Sequence, residues 1–82
     1  MTEERFFIYG RGNCPFCVMA CDLLVALERE FVFFNHQDDH ETLQYLKEFY
    51  NHPTFPMVLE NDKESGETTF VGGYTDLLEK VK

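Results

Sequence analysis

The chain has 82 residues, 44% of them hydrophobic and 16% aromatic, with nine Phe, no Trp and a net charge of -8. That length allows a single domain, residues 1–82, and the aromatic content suits a small, dense core. The negative charge repels phosphate backbones and anionic lipid, and no run reaches the ~18 apolar residues of a membrane span, so nucleic acid and membrane are excluded as partners.

From the start of the chain, Met1-Thr2-Glu3-Glu4-Arg5 is not a basic leader, and Phe6-Phe7-Ile8-Tyr9 is too short for a signal core. Three cysteines, two of them in one motif, do not suit a secreted disulfide scaffold. A cytoplasmic protein is expected. Phe6-Phe7-Ile8-Tyr9 reads as a strand buried on both faces and ended by Gly10. A turn follows, and a helix runs from Cys14 to about residue 28 or 29. Pro15 fits its first turn, where the missing N–H costs nothing. Val18, Leu24, Val25 and Leu27 give that helix a broad apolar surface.

Phe31-Val32-Phe33-Phe34 is a second strand. Asp38 with Glu41 resembles a capping box that opens a second helix, with Leu43, Leu46, Phe49 and Tyr50 on its apolar face and His52-Pro53 as its stop. Met57-Val58-Leu59 forms a third strand, residues 61–66 a polar hairpin turn, and Thr68-Thr69-Phe70-Val71 a fourth strand broken by Gly72-Gly73. Thr75 is the expected N-cap of a last helix, with Asp76 in its first turn. The order is β-α-β-α-β-β-α. A parallel first pair and an antiparallel final hairpin make this an α/β, thioredoxin-like layout: a four-stranded mixed sheet with three helices.

Cys14-Pro15-Phe16-Cys17 sits at the mouth of the first helix. Unpaired N–H groups and the helix dipole favour an anion at Cys14, and can lower a thiol from its usual value of about 8.5. The thiolate is the attacking species in disulfide exchange. Cys17, one turn further in, is shielded. Cys14 is therefore expected to attack and Cys17 to resolve. Arg11 adds a positive charge nearby. As a metal clip, one C-x-x-C would supply two of the four ligands of a closed zinc site. Cys21 falls four residues beyond Cys17, but His36, His40 and His52 have no ligand spacing, so redox chemistry is preferred and no metal site is expected.

Three further features stay open on the residues alone. Pro56 could be an ordinary trans proline opening an edge strand; a cis Phe55–Pro56 bond would instead present the Phe55 N–H and C=O to an extended peptide lying against Cys14. Thr75 and Asp76 could be a plain helix cap and a dipole-matching acid, or could hold the two charges of an α-amino-acid terminus. Phe16, between the cysteines, could be a core aromatic or an exposed lid, and its place favours exposure. Tyr9 and Tyr74 are expected to pack, and Cys21 to be buried or half-buried rather than reactive.

Together these residues resemble a glutaredoxin. Arg11-Gly12-Asn13-Cys14-Pro15-Phe16-Cys17 is similar to the family's basic residue, two spacers and Cys-Pro-Tyr-Cys. Thr54-Phe55-Pro56 resembles its Thr-Val-Pro with a cis proline, and Gly72-Gly73-Tyr74-Thr75-Asp76 its Gly-Gly-x-Ser/Thr-Asp. The resemblance implies glutathione as co-substrate, with no permanently bound cofactor. It implies a binding site made of Arg11, Phe16, Phe55, Pro56, Gly73, Tyr74, Thr75 and Asp76. Phe55 would pair its backbone with the cysteinyl part, Thr75 and Asp76 would hold the γ-glutamyl end, and Cys14 would carry the mixed disulfide. Phe16 stands for the usual Tyr and Phe55 for Val, changes that bear on affinity.

The partners implied are glutathione and disulfide-containing or glutathionylated proteins, ribonucleotide reductase among them, served by a monomer. Two other readings remain. One is a redoxin reduced by a flavin reductase without glutathione, against which Arg11 and Thr75-Asp76 argue. The other is an iron–sulfur carrier in which two chains share a cluster through Cys14 and glutathione. In the family that role more usually goes with Gly or Ser in place of Pro15.

Overall fold

A computed structural model describes residues 4–36, 38–52 and 54–81. The reading of residues 1–3 and the part given to Pro53 lie outside them. The elements are β1 (Glu4–Gly10), α1 (Pro15–Ala26), β2 (Phe31–Asn35), α2 (His40–Phe49), β3 (Met57–Asp62), β4 (Thr68–Gly72) and α3 (Tyr74–Val81), in the expected order. The sheet runs β2-β1-β3-β4, with β1 and β2 parallel and the other two pairs antiparallel.

Strand alternation splits the apolar residues between two layers. Phe6, Ile8 and Val58 face α1 and α3, where they form the core with Ala20, Leu24 and Leu77. Each large side chain removed from water there contributes about 1.5–3 kcal/mol. On the other face Phe7 pairs with Leu59 and Tyr9 with Met57 across the antiparallel ladder. α2 covers this side: Leu43 and Leu46 are buried, and Tyr50 stacks on Phe70 at 4.8 Å. Phe6, Ile8 and Gly10 are thus buried on the α1 face of β1, while Phe7 and Tyr9 are only half-buried on the other, against the expectation of a strand buried on both faces.

Several boundaries differ from expectation for identifiable reasons. α1 stops at Ala26 because Glu28 takes a left-handed conformation (φ 55). Glu28 N–H then bonds Val25 O, and Arg29 N–H bonds Leu24 O at 2.9 Å, the pattern that usually uses glycine. Val18, Val25 and Leu27, expected on its packing surface, are exposed. α2 ends in the same way at Asn51 (φ 50), with His52 N–H bonded to Lys47 O. Its N-cap is Asp39 rather than Asp38, and Asp39 accepts from Thr42 N–H at 3.1 Å. Phe49 is 64% exposed instead of packed.

The hairpin turn is shorter than 61–66, because β3 continues through Asp62. Asn61 is buried and bonded on every side. It accepts from Arg5 Nε at 3.0 Å and donates to Thr68 Oγ1, Gly66 O and Glu67 O. α3 starts at Tyr74, and Leu77 N–H bonds Gly73 O, so Gly73 holds the capping position and Thr75 lies inside the helix. Asp76 reaches back to accept from Gly73 N–H at 3.0 Å, the second half of a capping box without its first.

Candidate functional site

The loop between β1 and α1 carries the first cysteine. Gly12 N–H donates to the Asn35 side chain at 3.0 Å, and Cys14 N–H to Arg11 O at 3.2 Å, so the loop is tied to the end of β2 and closed as a turn. Cys14 is the N-cap residue of α1, in extended conformation, with Pro15 following as the sequence anticipates. Cys14 is half-buried, whereas Cys17 is 0% exposed. All three cysteines are free thiols.

Burial alone would push the Cys14 thiol up. The Cys17 N–H, the Cys17 thiol, the Phe16 N–H and the Arg11 charge outweigh it, and together hold Cys14 below the ordinary thiol range. The sulfur closes no capping bond with a backbone N–H; the N–H groups of Cys17 and Phe16 act on it as nearby dipoles, beside the hydrogen bond from the Cys17 thiol. Cys17 goes the other way. Its burial, its hydrogen bond to Cys14 and the Cys14 charge push it up to about 12. Two thiols three residues apart are therefore poised for opposite protonation states. Burial raises Cys21 as well, aided by Asp22, which leaves it a poor nucleophile.

The Phe55–Pro56 bond is cis. Two adjoining hollows flank this loop. One, of about 400 Å³, is lined by Arg11, Asn13, Cys14, Lys47, Thr54 and Phe55. The other, of about 370 Å³, is lined by Phe16, Thr54, Phe55 and Pro56 on one side and by His52 and the start of α3 from Gly73 to Asp76 on the other. Thr54 and Phe55 are common to both, so the pair forms one groove with two cations at the Cys14 end and a carboxylate at the α3 end. Phe16 is 55% exposed and leans on Tyr74, ring centroids 6.2 Å apart. The groove brings together Arg11, Cys14, Phe16, Phe55, Pro56, Gly73, Tyr74, Thr75 and Asp76; Cys17 lies beneath it.

Two groove residues escaped the sequence reading. Lys47 sits over the Phe55 ring, 5.4 Å from its centre, and His52 Nδ1 lies 2.8 Å from Thr54 O. Both come from the end of α2, which carries no motif of its own; a Lys in the last turn of a helix is an everyday match to the dipole. Arg11 Nε is a buried donor with no partner among the described residues. Among those residues no group of three or more His, Cys, Asp or Glu is placed to hold a metal ion, and no helix is long and apolar enough to cross a membrane.

The sequence model of the glutaredoxin family matches residues 6–64. The fold resembles glutaredoxin from Brucella melitensis (29% identity, TM-score 0.69, 92% of this chain and 75% of that one). It also resembles reduced Escherichia coli glutaredoxin (26%, 0.69, 94% and 92%) and wheat glutaredoxin (25%, 0.72, 90% and 68%). No curated protein sequence matches significantly. The site is thus that of a thiol–disulfide oxidoreductase with a thioredoxin-like fold. The chain belongs to the glutaredoxin family, whose members use glutathione as co-substrate.

Proposed function

We propose that this protein is a glutathione-dependent oxidoreductase that reduces protein disulfides and glutathione mixed disulfides, with Cys14 as nucleophile and Cys17 as resolving thiol. The observation that carries this reading is the groove itself. It starts at a lowered thiol between Arg11 and Lys47 and ends at the first turn of α3 with Asp76. Glutathione has one carboxylate at its glycine end and a carboxylate with an amine at its γ-glutamyl end. The unpartnered Arg11 Nε and the Lys47 ammonium suit the first; the first-turn N–H groups of Thr75 and Asp76, which an α-helix leaves without an intrahelical acceptor, and the Asp76 carboxylate suit the second. The Phe55 N–H and C=O would pair with the cysteinyl residue between them. Pro56, Gly73, Tyr74 and the Phe16 ring would wall the groove.

With a glutathione adduct, the Cys14 thiolate attacks the glutathione sulfur, the protein thiolate leaves and takes up a proton, and a second glutathione thiolate then frees Cys14 as oxidised glutathione forms. With a protein disulfide, the Cys14 thiolate attacks one protein sulfur, and the other leaves as a thiolate that takes up a proton. Cys17 then loses its proton and attacks Cys14, releasing the reduced protein. Forming the mixed disulfide removes the Cys14 charge, one of the causes that holds Cys17 protonated, so the first step prepares the second. Glutathione reopens the ring. The disulfide partners proposed include ribonucleotide reductase, the compartment is the cytoplasm, and the working unit is a monomer.

The test is turnover of a glutathionylated peptide with glutathione, glutathione reductase and NADPH. The wild type is expected to be active and Cys14→Ser inactive. An inactive wild type, or activity surviving in Cys14→Ser, contradicts the assignment.

A further inference from the structure

We propose that His52 is a positioning residue of the groove: its imidazole fixes the Thr54–Phe55 backbone edge beside Cys14, so binding of an extended disulfide substrate depends on it. The inference rests on the glutathione reading above and adds to it a residue outside the three motifs.

A carbonyl oxygen only accepts, so the 2.8 Å contact to Thr54 O makes Nδ1 the protonated nitrogen of the ring. Among the described residues this is the one side-chain hydrogen bond to the Thr54–Pro56 loop. The ring is itself held. It stands edge-on to Phe70, centroids 5.5 Å apart, and its Cε1 comes within 3.6 Å of where a side chain on Gly73 would begin. Its backbone is set by the left-handed stop at Asn51 and by His52 N–H bonding Lys47 O at 3.0 Å. One imidazole therefore joins the end of α2, the substrate-pairing loop and the start of α3. Lys47, over the Phe55 ring, contacts the same loop. Cys14 lies on a different element, tied down by Asn35, so a loosened loop weakens pairing more than it alters the thiolate.

The test is steady-state reduction of a glutathionylated peptide by wild type, His52→Phe and His52→Asn. Phe keeps a ring against Phe70 and removes the donor; Asn keeps a donor near the Nδ1 position. His52→Phe is expected to raise KM roughly three- to tenfold, the size of one lost hydrogen bond, with a smaller change in kcat, and His52→Asn to recover most of the loss. Equal KM in His52→Phe and wild type, a loss confined to kcat, or a His52→Asn as impaired as His52→Phe overturns the proposal. Ring ¹⁵N NMR of the wild type at about pH 8, where an ordinary histidine is neutral, gives a readout independent of any variant's folding. An Nδ1–H tautomer is expected, and an Nε2–H tautomer overturns it. Failure of the glutathione reading has its own signature: the wild type does not turn over the glutathionylated peptide. The variants are then compared on a disulfide-linked pair of peptides with dithiothreitol in place of glutathione as the reductant, where the same order of KM supports the role of His52 and its absence refutes it.

Discussion

Cys17 Sγ occupies the space that a side chain on Gly10 would need: a Cβ built on Gly10 collides with that sulfur. The last residue of β1 and the first buried turn of α1 thus touch through a missing methyl group. Gly10 has ordinary strand geometry, so close approach, not backbone freedom, requires it.

Gly10→Ala is expected to push Cys17 and the first turn of α1 outward. The cost is about 1–3 kcal/mol, as for other overpacked cores, seen as a lower denaturation midpoint. Alkylation of Cys14 should shift to higher pH in the same variant, because the Cys17 N–H and thiol that stabilise its anion move away. An unchanged midpoint and alkylation profile would show that the helix absorbs the methyl group freely.

Cys17→Ser separates the two reactions. Reduction of a glutathionylated peptide needs only Cys14 and should persist, whereas release of a protein held on Cys14 needs the second sulfur and should fail. Parallel assays on a glutathionylated peptide and a protein disulfide check this. Equal loss of both activities contradicts the division of labour.

The two thiols give opposite pH signatures. Cys14, lowered on folding, contributes stability that is present above the ordinary thiol value of about 8.5 and lost as pH falls through its folded value. Cys17, raised on folding, contributes stability that is present below that ordinary value and lost as pH rises towards about 12. Denaturation of the reduced protein should therefore show an alkaline loss that Cys17→Ala reduces, with a remainder from Cys21, which burial also raises. Arg11→Gln should move the alkylation midpoint of Cys14 upward, and only slightly, since the N–H groups of Cys17 and Phe16 remain. A midpoint unmoved by Arg11→Gln would place the guanidinium too far away to matter.

Asn61→Ala strips partners from Arg5, Thr68 and the carbonyls of Gly66 and Glu67 at once. The expected destabilisation is about 1–3 kcal/mol, read by denaturant titration, with turnover at wild-type level because the network lies at the far end of β3 from the groove. Loss of activity at temperatures where the variant stays folded would show a coupling between the two ends.

Element order and the first cysteine's place were legible because they depend on local signals: short apolar runs make strands, and Cys-Pro opens a helix. The helix ends were less so. Glu28 takes a conformation usually left to glycine because the bonds from Glu28 and Arg29 N–H back into α1 hold it there, and no residue type announces that. Thr75 looks like a cap, yet Gly73 takes the position, because Asp76 can cap backwards only if the helix begins one turn ahead of it. Lys47 and His52 were invisible for a different reason. They lie near Phe55 and Thr54 in the chain but belong to no motif, and contacts made across the turn after α2, not the residue types, carry them onto that loop.

The depth difference between the paired sulfurs has a consequence for traffic through the oxidised form. With the inner atom sealed from solvent and the outer one at the surface, an arriving thiol meets a single point of entry. Each adduct is then laid on the same atom, beside the same groove, and the return half of the cycle starts where the forward half began.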